Sequence, residues 1–320
     1  MNACSDTYFR YLPASGADQR WGLYASTVGR SSCAPHAIYP PAQHPPAYGV
    51  ARFLERGRVL PEFQVVYITR GEGSFETAAS SARRLRAGQV FLLFPGEWHR
   101  YQPDPEVGWD EHWVGFDGDC ARLLLKNGVI SPAEPVFDVG ADSDLMAAFA
   151  RAIELVKLEP PGFQQTLAAL VLEVLGHVSS AHRRREITEK GLHPIVNEAK
   201  LLLAERLEEP LDLAGLASHL GVSYSALRQA FKLHTGFALH EYRLELRVSE
   251  AKKLLAGTEL PVKTIADKLG FQSAYYFSRL VKTKTGLSPE TWRLQAHGGD
   301  HLEQVALRSK QRSKTGSPNR

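Results

Sequence analysis

At 320 residues, 43% of them hydrophobic and 23% charged, the chain has the composition of a globular protein and the length for two domains. That balance excludes a disordered polar chain, and the lack of any apolar run of ~18 residues or of a signal-peptide pattern sets the expectation of a cytoplasmic protein with no membrane partner. The net charge of +3 is unevenly spread: residues 1–189 carry 18 Lys/Arg against 22 Asp/Glu, and residues 190–297 carry 15 against 11, as suits a C-terminal half that meets a polyanion. Three scattered cysteines, Cys4, Cys33 and Cys120, lack CxxC spacing and read as free thiols in a reducing compartment.

In chain order, residues 1–45 read as an N-terminal arm and 46–120 as a β domain. Short apolar or alternating runs predict strands at 63–69, 73–77, 89–94 and 109–116, punctuated by Gly71-Glu72-Gly73 and Pro95-Gly96. Closely spaced short strands imply a sandwich or barrel. Helical periodicity begins afterwards, with Leu145, Phe149, Ile153 and Val156, then Leu167, Leu170, Val171, Val174, Leu175 and Val178. Pro160-Pro161-Gly162 divides this stretch into helices at 142–158 and 164–182. Two uses stay open for this segment, 121–185: capping the β domain, or offering an apolar face to a second copy of the chain as a homodimer. A polar linker follows at 186–194, and residues 298–320 form a basic tail expected to be disordered.

From Leu201 onward the sequence repeats itself. Leu213, Leu216, Ala217, Leu220, Gly221, Val222, Leu227, Phe231 and Gly236 recur as Val262, Ile265, Ala266, Leu269, Gly270, Phe271, Phe277, Val281 and Gly286, with an offset of 49 residues up to Phe271 and 50 from Phe277 onward. Each position has a physical task. Ala217 and Ala266 let a second helix cross closely, and Gly221 and Gly270 permit a left-handed turn between the two helices. Ser223 and Ser273 suit the caps of the helices that follow. The outward stripes then carry Ser225, Arg228 and Gln229, and Gln272, Tyr275 and Arg279. Arg and Gln can make paired hydrogen bonds to guanine and adenine edges in a major groove. A connecting helix at 239–256 would be ~27 Å long, near the ~34 Å between successive major-groove faces. Lys252, Lys253, Lys263, Lys282 and Lys284 are candidate phosphate contacts or simply a solvated face.

The segment IADKLGFQSAYYFSRLVKTKTGLSPETWR at 265–293 resembles the signature of AraC/XylS-type DNA-binding domains, a resemblance spanning 195–297. It departs at Val281, where the family has phenylalanine; the first copy keeps Phe231-Lys232. The resemblance implies double-stranded DNA as partner, with Ser225, Arg228, Gln229, Gln272, Tyr275, Tyr276 and Arg279 facing bases. It also implies RNA polymerase recruitment, and activation rather than repression.

The segment 88–101, which runs through Pro95-Gly96 to His99 and Tyr101, is similar to the cupin-like jelly-roll effector domain of AraC-type sugar regulators. Trp109, Glu111 and Trp113 alternate onto one strand face, as a sugar site uses aromatic faces beside charged groups. The resemblance implies a sugar effector held by Tyr101, Glu111 and Trp113, with the usual arginine supplied by Arg56 or Arg58, while strand alternation puts His99 on the same face as Tyr101. In the family's arabinose-binding member a histidine stands at the position of Glu111, so the same sugar does not follow. Three other readings remain beside this one: Trp109 and Trp113 as plain barrel core, a barrel that is only an oligomerisation platform without ligand, and a metal-dependent cupin enzyme fused to a DNA-binding module. The enzyme would draw on Glu97, His99 and His112, but the HxH pair such sites use is missing from the chain. The expected architecture is therefore α+β: an N-terminal jelly-roll with dimerisation helices and a C-terminal all-α double helix-turn-helix domain, with no catalysis, metal or cofactor.

Overall fold

Strand β4 (Phe63–Thr77) organises the N-terminal unit of this computed structural model, which describes residues 5–40, 54–189, 191–210 and 212–296. Its first half lies between β8 (Trp109–Asp117) and β6 (Gln89–Leu93), and its second half between β5 (Ser80–Arg86) and β7 (Trp98–Pro103). The Gly71-Glu72-Gly73 signal is therefore not the hairpin expected between two strands. It sits in one continuous strand, just after a register shift between Ile68 and Arg70. Gly71 has φ +77°, and a methyl group on Gly73 would overlap the Gln102 carbonyl and the Trp109 ring. The glycines let β4 bend across the barrel instead of turning back.

The sheet extends through β8 to β2 (Tyr24–Cys33) and β1 (Ser5–Tyr11), and through β6 to β9 (Val136–Asp138), while short β3 (Arg58–Val59) pairs with β7. This antiparallel sheet curls into a half-barrel. Residues 5–33, expected in an arm, are thus part of the barrel wall, with the short helix α1 (Gly16–Arg20) between β1 and β2. Their small and polar residues hide the pattern that marks a strand. Residues 41–53 of the expected arm and domain start lie outside the described residues. Cys120 is a free thiol, whereas Cys33 is disulfide-bonded, a correction at that position; sequence spacing carries no information about which cysteines a sheet brings together.

Both faces of the central strands are buried. Val66, Ile68, Phe91, Leu93, Trp109 and Trp113 point inward, and Phe63, Val65, Tyr67, Val90, Leu92, Val114 and Phe116 point outward. After α2 (Asp119–Lys126), helices α3 (Ser143–Leu158) and α4 (Phe163–Glu189) cover that outer face. The apolar residues expected on the two helices all enter this core. Asp142 caps α3 by accepting from the Asp144 and Leu145 amides. Buried Gln164 pins α4 to β2: its Oε1 accepts from the Ala25 amide at 3.3 Å and its Nε2 donates to the Ala25 carbonyl at 3.1 Å, beside the register shift in β2.

The second unit, from residue 186, is all helical in its described part. It comprises α5 (His193–Glu205), α6 (Leu213–His219), α7 (Tyr224–Thr235), α8 (Leu239–Gly257), α9 (Val262–Lys268) and α10 (Ala274–Thr285). One core gathers α5 to α7 with Leu239 of α8; a second gathers α9 and α10 with Ala251 and Leu255 of α8. Helix α4 runs to Glu189, into the expected linker, and the expected tail lies outside the described residues.

Replacing Gln164 by Leu strands the two Ala25 backbone groups that it satisfies. The expected cost is ~1–3 kcal/mol, read as a lower urea midpoint for the N-terminal unit with m unchanged; an unaltered midpoint would show that the clamp contributes nothing.

Candidate functional site

A cleft opens inside the half-barrel, lined by Tyr11 of β1, Thr27 of β2, the Tyr39–Pro40 segment, Arg58 of β3, Gln64 and Val66 of β4, Tyr101 of β7, and Glu111 and Trp113 of β8. The pairing explains the convergence. Gly29 on β2 stands opposite Trp113, and any side chain there would overlap the indole, so the glycine makes room for the ring to lie against β2. Phe9 packs beside it at 6.4 Å between ring centres. Two positions away on the same face, Glu111 pairs with Ser31 and Ile68 and is fully enclosed.

Four of the five expected effector residues, Arg58, Tyr101, Glu111 and Trp113, line this cleft. His99 does not. It is buried behind Arg58, with its ring stacked near Tyr101 at 6.2 Å. Because a guanidinium can only donate, the 3.3 Å contact from Arg58 Nε makes His99 Nε2 the acceptor, which leaves Nδ1–H to donate to the Glu97 carbonyl at 3.1 Å. Burial, reinforced by the Arg58 charge, holds His99 down to about 3, so it stays neutral and aims the arginine. Arg58 Nη2 in turn donates to the Tyr101 hydroxyl at 2.8 Å. Trp109 is core, packed edge-on against Tyr39, while Trp113 is cleft wall, so the two tryptophans divide between the two readings of the sequence.

Burial pushes the Glu111 carboxyl up to about 8, although the Tyr39 hydroxyl, 3.3 Å away, and the Arg58 charge both oppose the shift. Thr27 Oγ1, also on the cleft wall, is buried without a hydrogen-bond partner among the described residues. The cleft therefore offers an aromatic face, a fixed cation, a carboxyl group and an unsatisfied hydroxyl. Its chemistry suits a small molecule with several hydroxyl groups. Sequence reasoning missed Tyr11, Thr27, Tyr39, Pro40, Gln64 and Val66. No signal in the sequence marks β2, because the task of Gly29 shows only once β8 lies opposite it. His112, weighed as a metal ligand with Glu97 and His99, sits on the opposite face of β8 against Phe149, so that set does not converge.

In the helical unit the two copies are built alike. Gly221 and Gly270 both take φ +69°, and Gly236 and Gly286 close α7 and α10 with φ +78° and +79°. Ser223 and Ser273 cap the two helices by accepting from the amides of Ala226 and Tyr276. Leu227, Ala230 and Phe231 bury one stripe of α7, and Phe277 and Val281 one stripe of α10. Val281, the departure from the family pattern, is fully buried in the core of α9 and α10. Ser225, Arg228 and Gln229 of α7, Tyr275, Tyr276 and Arg279 of α10, and Gln272 just before the cap of α10 are all exposed. Of the candidate phosphate lysines, Lys253 pairs with Glu250, Lys284 with Glu245, and Lys252 lies over the Trp292 ring, while Lys263 and Lys282 are exposed.

An AraC-like ligand binding domain model matches residues 29–175, and a helix-turn-helix domain model matches residues 216–295. The arabinose operon regulatory protein of Escherichia coli (strain K12) is 32% identical over 260 residues, 75% of this chain and 83% of that one. The HTH-type transcriptional activator RhaR of Cronobacter sakazakii is 36% identical over 255 residues, covering 72% of this chain and 84% of that one. The chain belongs to the AraC family of transcription regulators. It is a DNA-binding regulator with an AraC-like ligand-binding domain, not an enzyme. No helix among the described residues is long and apolar enough to cross a membrane.

The buried carboxyl has a signed consequence for stability. Folded Glu111 keeps its proton to about 8 while the unfolded chain releases it near 4.5, so stability falls as pH rises through that window. His99 and His112, held down to about 3 and about 4, act in the opposite sense but only below about 6.5. Between pH 6.5 and 8 the wild type should lose up to ~1.4 kcal/mol per pH unit. Glu111→Gln should flatten that decline in chemical denaturation, and equal slopes in the two proteins would refute the assignment.

Proposed function

We propose that the chain is a cytoplasmic, sugar-responsive transcription activator that works as a homodimer. A small polyol occupies the half-barrel cleft, and each subunit reads DNA with α7 and α10. The observation that carries the effector is the meeting of the Trp113 face, Arg58, Glu111 and the unsatisfied Thr27 hydroxyl in one cleft. Relatives named for an arabinose operon and as a transcriptional activator support the sugar class and the sign of regulation. Exposed Leu158 and Leu172 on α3 and α4 support a partner face on helices that otherwise cap the barrel. Effector binding then alters how the DNA-binding units are presented to DNA and to RNA polymerase.

Titration calorimetry of the full chain against pentoses, hexoses and their oligosaccharides tests the effector. At least one should bind, and Trp113→Ala should weaken it by about tenfold or more through loss of the ring face. A sugar bound equally well by the variant would place its site elsewhere, and a well-folded chain that binds none of them would sink the sugar reading.

On the DNA side, Arg228→Ala and Arg279→Ala should each cost ~1–3 kcal/mol and relax preference at one base position. Quantitative binding to a panel of single-base variants decides this. A uniform loss on every sequence would make these arginines phosphate contacts instead.

A further inference from the structure

Helix α8 carries two arginines one turn apart, Arg243 and Arg247, buried to 5% and 9% exposure. Their hydrogen bonds go to main-chain carbonyls. Arg243 Nη2 donates to the carbonyls of Arg206 (3.0 Å), Leu207 (3.1 Å) and Glu209, and Arg247 Nε donates to that of Leu207 at 2.8 Å. Arg206 is the C-cap of α5, so these acceptors are the end of a helix and the loop after it, where unpaired carbonyls and the negative end of the dipole favour a cation. That setting offsets the cost of burying two guanidinium groups.

Arg247 also faces the second helix-turn-helix. Its guanidinium lies 5.1 Å over the ring of Phe271, the residue that plugs the second turn. The glycine before it, Gly270, has no room for a side chain: a methyl group would overlap the Glu208 carbonyl and crowd Arg247. Its repeat partner Gly221 has the same φ of +69° but nothing within 4 Å. The turn conformation alone accounts for glycine at 221, whereas at 270 close approach is a second requirement. Loop 206–209, which leads into the first copy, α8 and the turn of the second copy therefore meet at one point. The groove beside that point is lined by Gln272, Ser273 and Tyr276, at the start of the second reading helix.

We propose that Arg243, Arg247 and Gly270 form a clasp on loop 206–209 that holds the two reading helices at one pitch, so that the protein accepts its two half-elements only at a single spacing. The clasp rests on the reading of α7 and α10 as DNA-reading helices. All three are positioning residues, and their effect is on spacing rather than on the bases read.

The test uses the full-length protein and a duplex that the wild type selects from a random-sequence pool. Derivatives of that duplex carry one base pair added or removed between the half-elements, or one half-element alone. One base pair rotates a half-element by roughly a tenth of a turn, so the wild type should lose about tenfold or more on either altered spacing. Arg247→Met keeps the stem but loses the hydrogen bond and the cation. It should bind each isolated half-element like the wild type, while its affinities for the three spacings converge. Arg247→Lys, a charge without the planar fork, should fall between the two. Gly270→Ala tests the contact from the other side, and it decides the matter if Arg247→Met does not fold; it should displace or broaden the preferred spacing. Wild-type discrimination retained in these variants overturns the clasp alone. A wild type that selects no duplex removes the DNA-binding reading, and the clasp with it.

Discussion

Burial of the central strands on both faces is the constraint on which the N-terminal unit depends. Side chains alternate along β4, β6 and β8, so the even and odd residues of each strand supply two separate cores, one inside the half-barrel and one under α3 and α4. A slip of one residue in β8 would drive Glu111 into the helix-covered face and His112 into the cleft, and would invert both cores at once. Register is therefore over-determined by apolar packing. The cleft can then carry polar groups that packing alone would reject. Trp113 can lie on Gly29 because Val114 and Phe116, on the other face, already fix where β8 must be.

The polar groups of the cleft form an ordered chain of dependence. The Glu97 carbonyl fixes the tautomer of His99, neutral His99 accepts from Arg58, and Arg58 donates to Tyr101. The arginine is thereby aimed along the cleft wall, and Glu111 lies near it with a raised proton affinity. A hydroxyl group can accept from the guanidinium and donate to the carboxyl, which is the chemistry this pair offers. Placing a carboxyl rather than an imidazole at 111 changes the donors and acceptors on offer.

The parts of this architecture that the sequence exposes are those where one residue type repeats with the period of its element. Helices α3 and α4, the paired copies and the halves of β4 were legible because Leu, Val, Ile and Phe recur at spacings that only those elements bury. β1 and β2 were not, since β2 faces Trp113 with Gly29 and Glu111 with Ser31, small residues whose size complements a partner strand. Tyr11 and Thr27 of the cleft wall were hidden with them. Gly71 and Gly73 misled in the other direction, because glycine marks close backbone approach as readily as a turn. His99 shows a further limit: alternation gives the face of a strand but not whether a residue meets the ligand or stands behind the one that does.

The helical unit illustrates how a repeat can diverge under one geometry. Turn angles, serine caps and glycine ends agree closely between copies, so the backbone presents α7 and α10 in the same manner. What differs is the chemistry on top: Ser225, Arg228 and Gln229 in one, and two exposed tyrosines with Gln272 and Arg279 in the other. The surroundings of the turn glycines differ as well, open at 221 and occupied at 270. Two copies with identical frames could serve as independent readers, each tolerating its own placement. A crowded turn in one copy alone, braced by arginines from the helix joining them, is an asymmetry that independent readers would not need, and it makes the pair one reading surface with a direction.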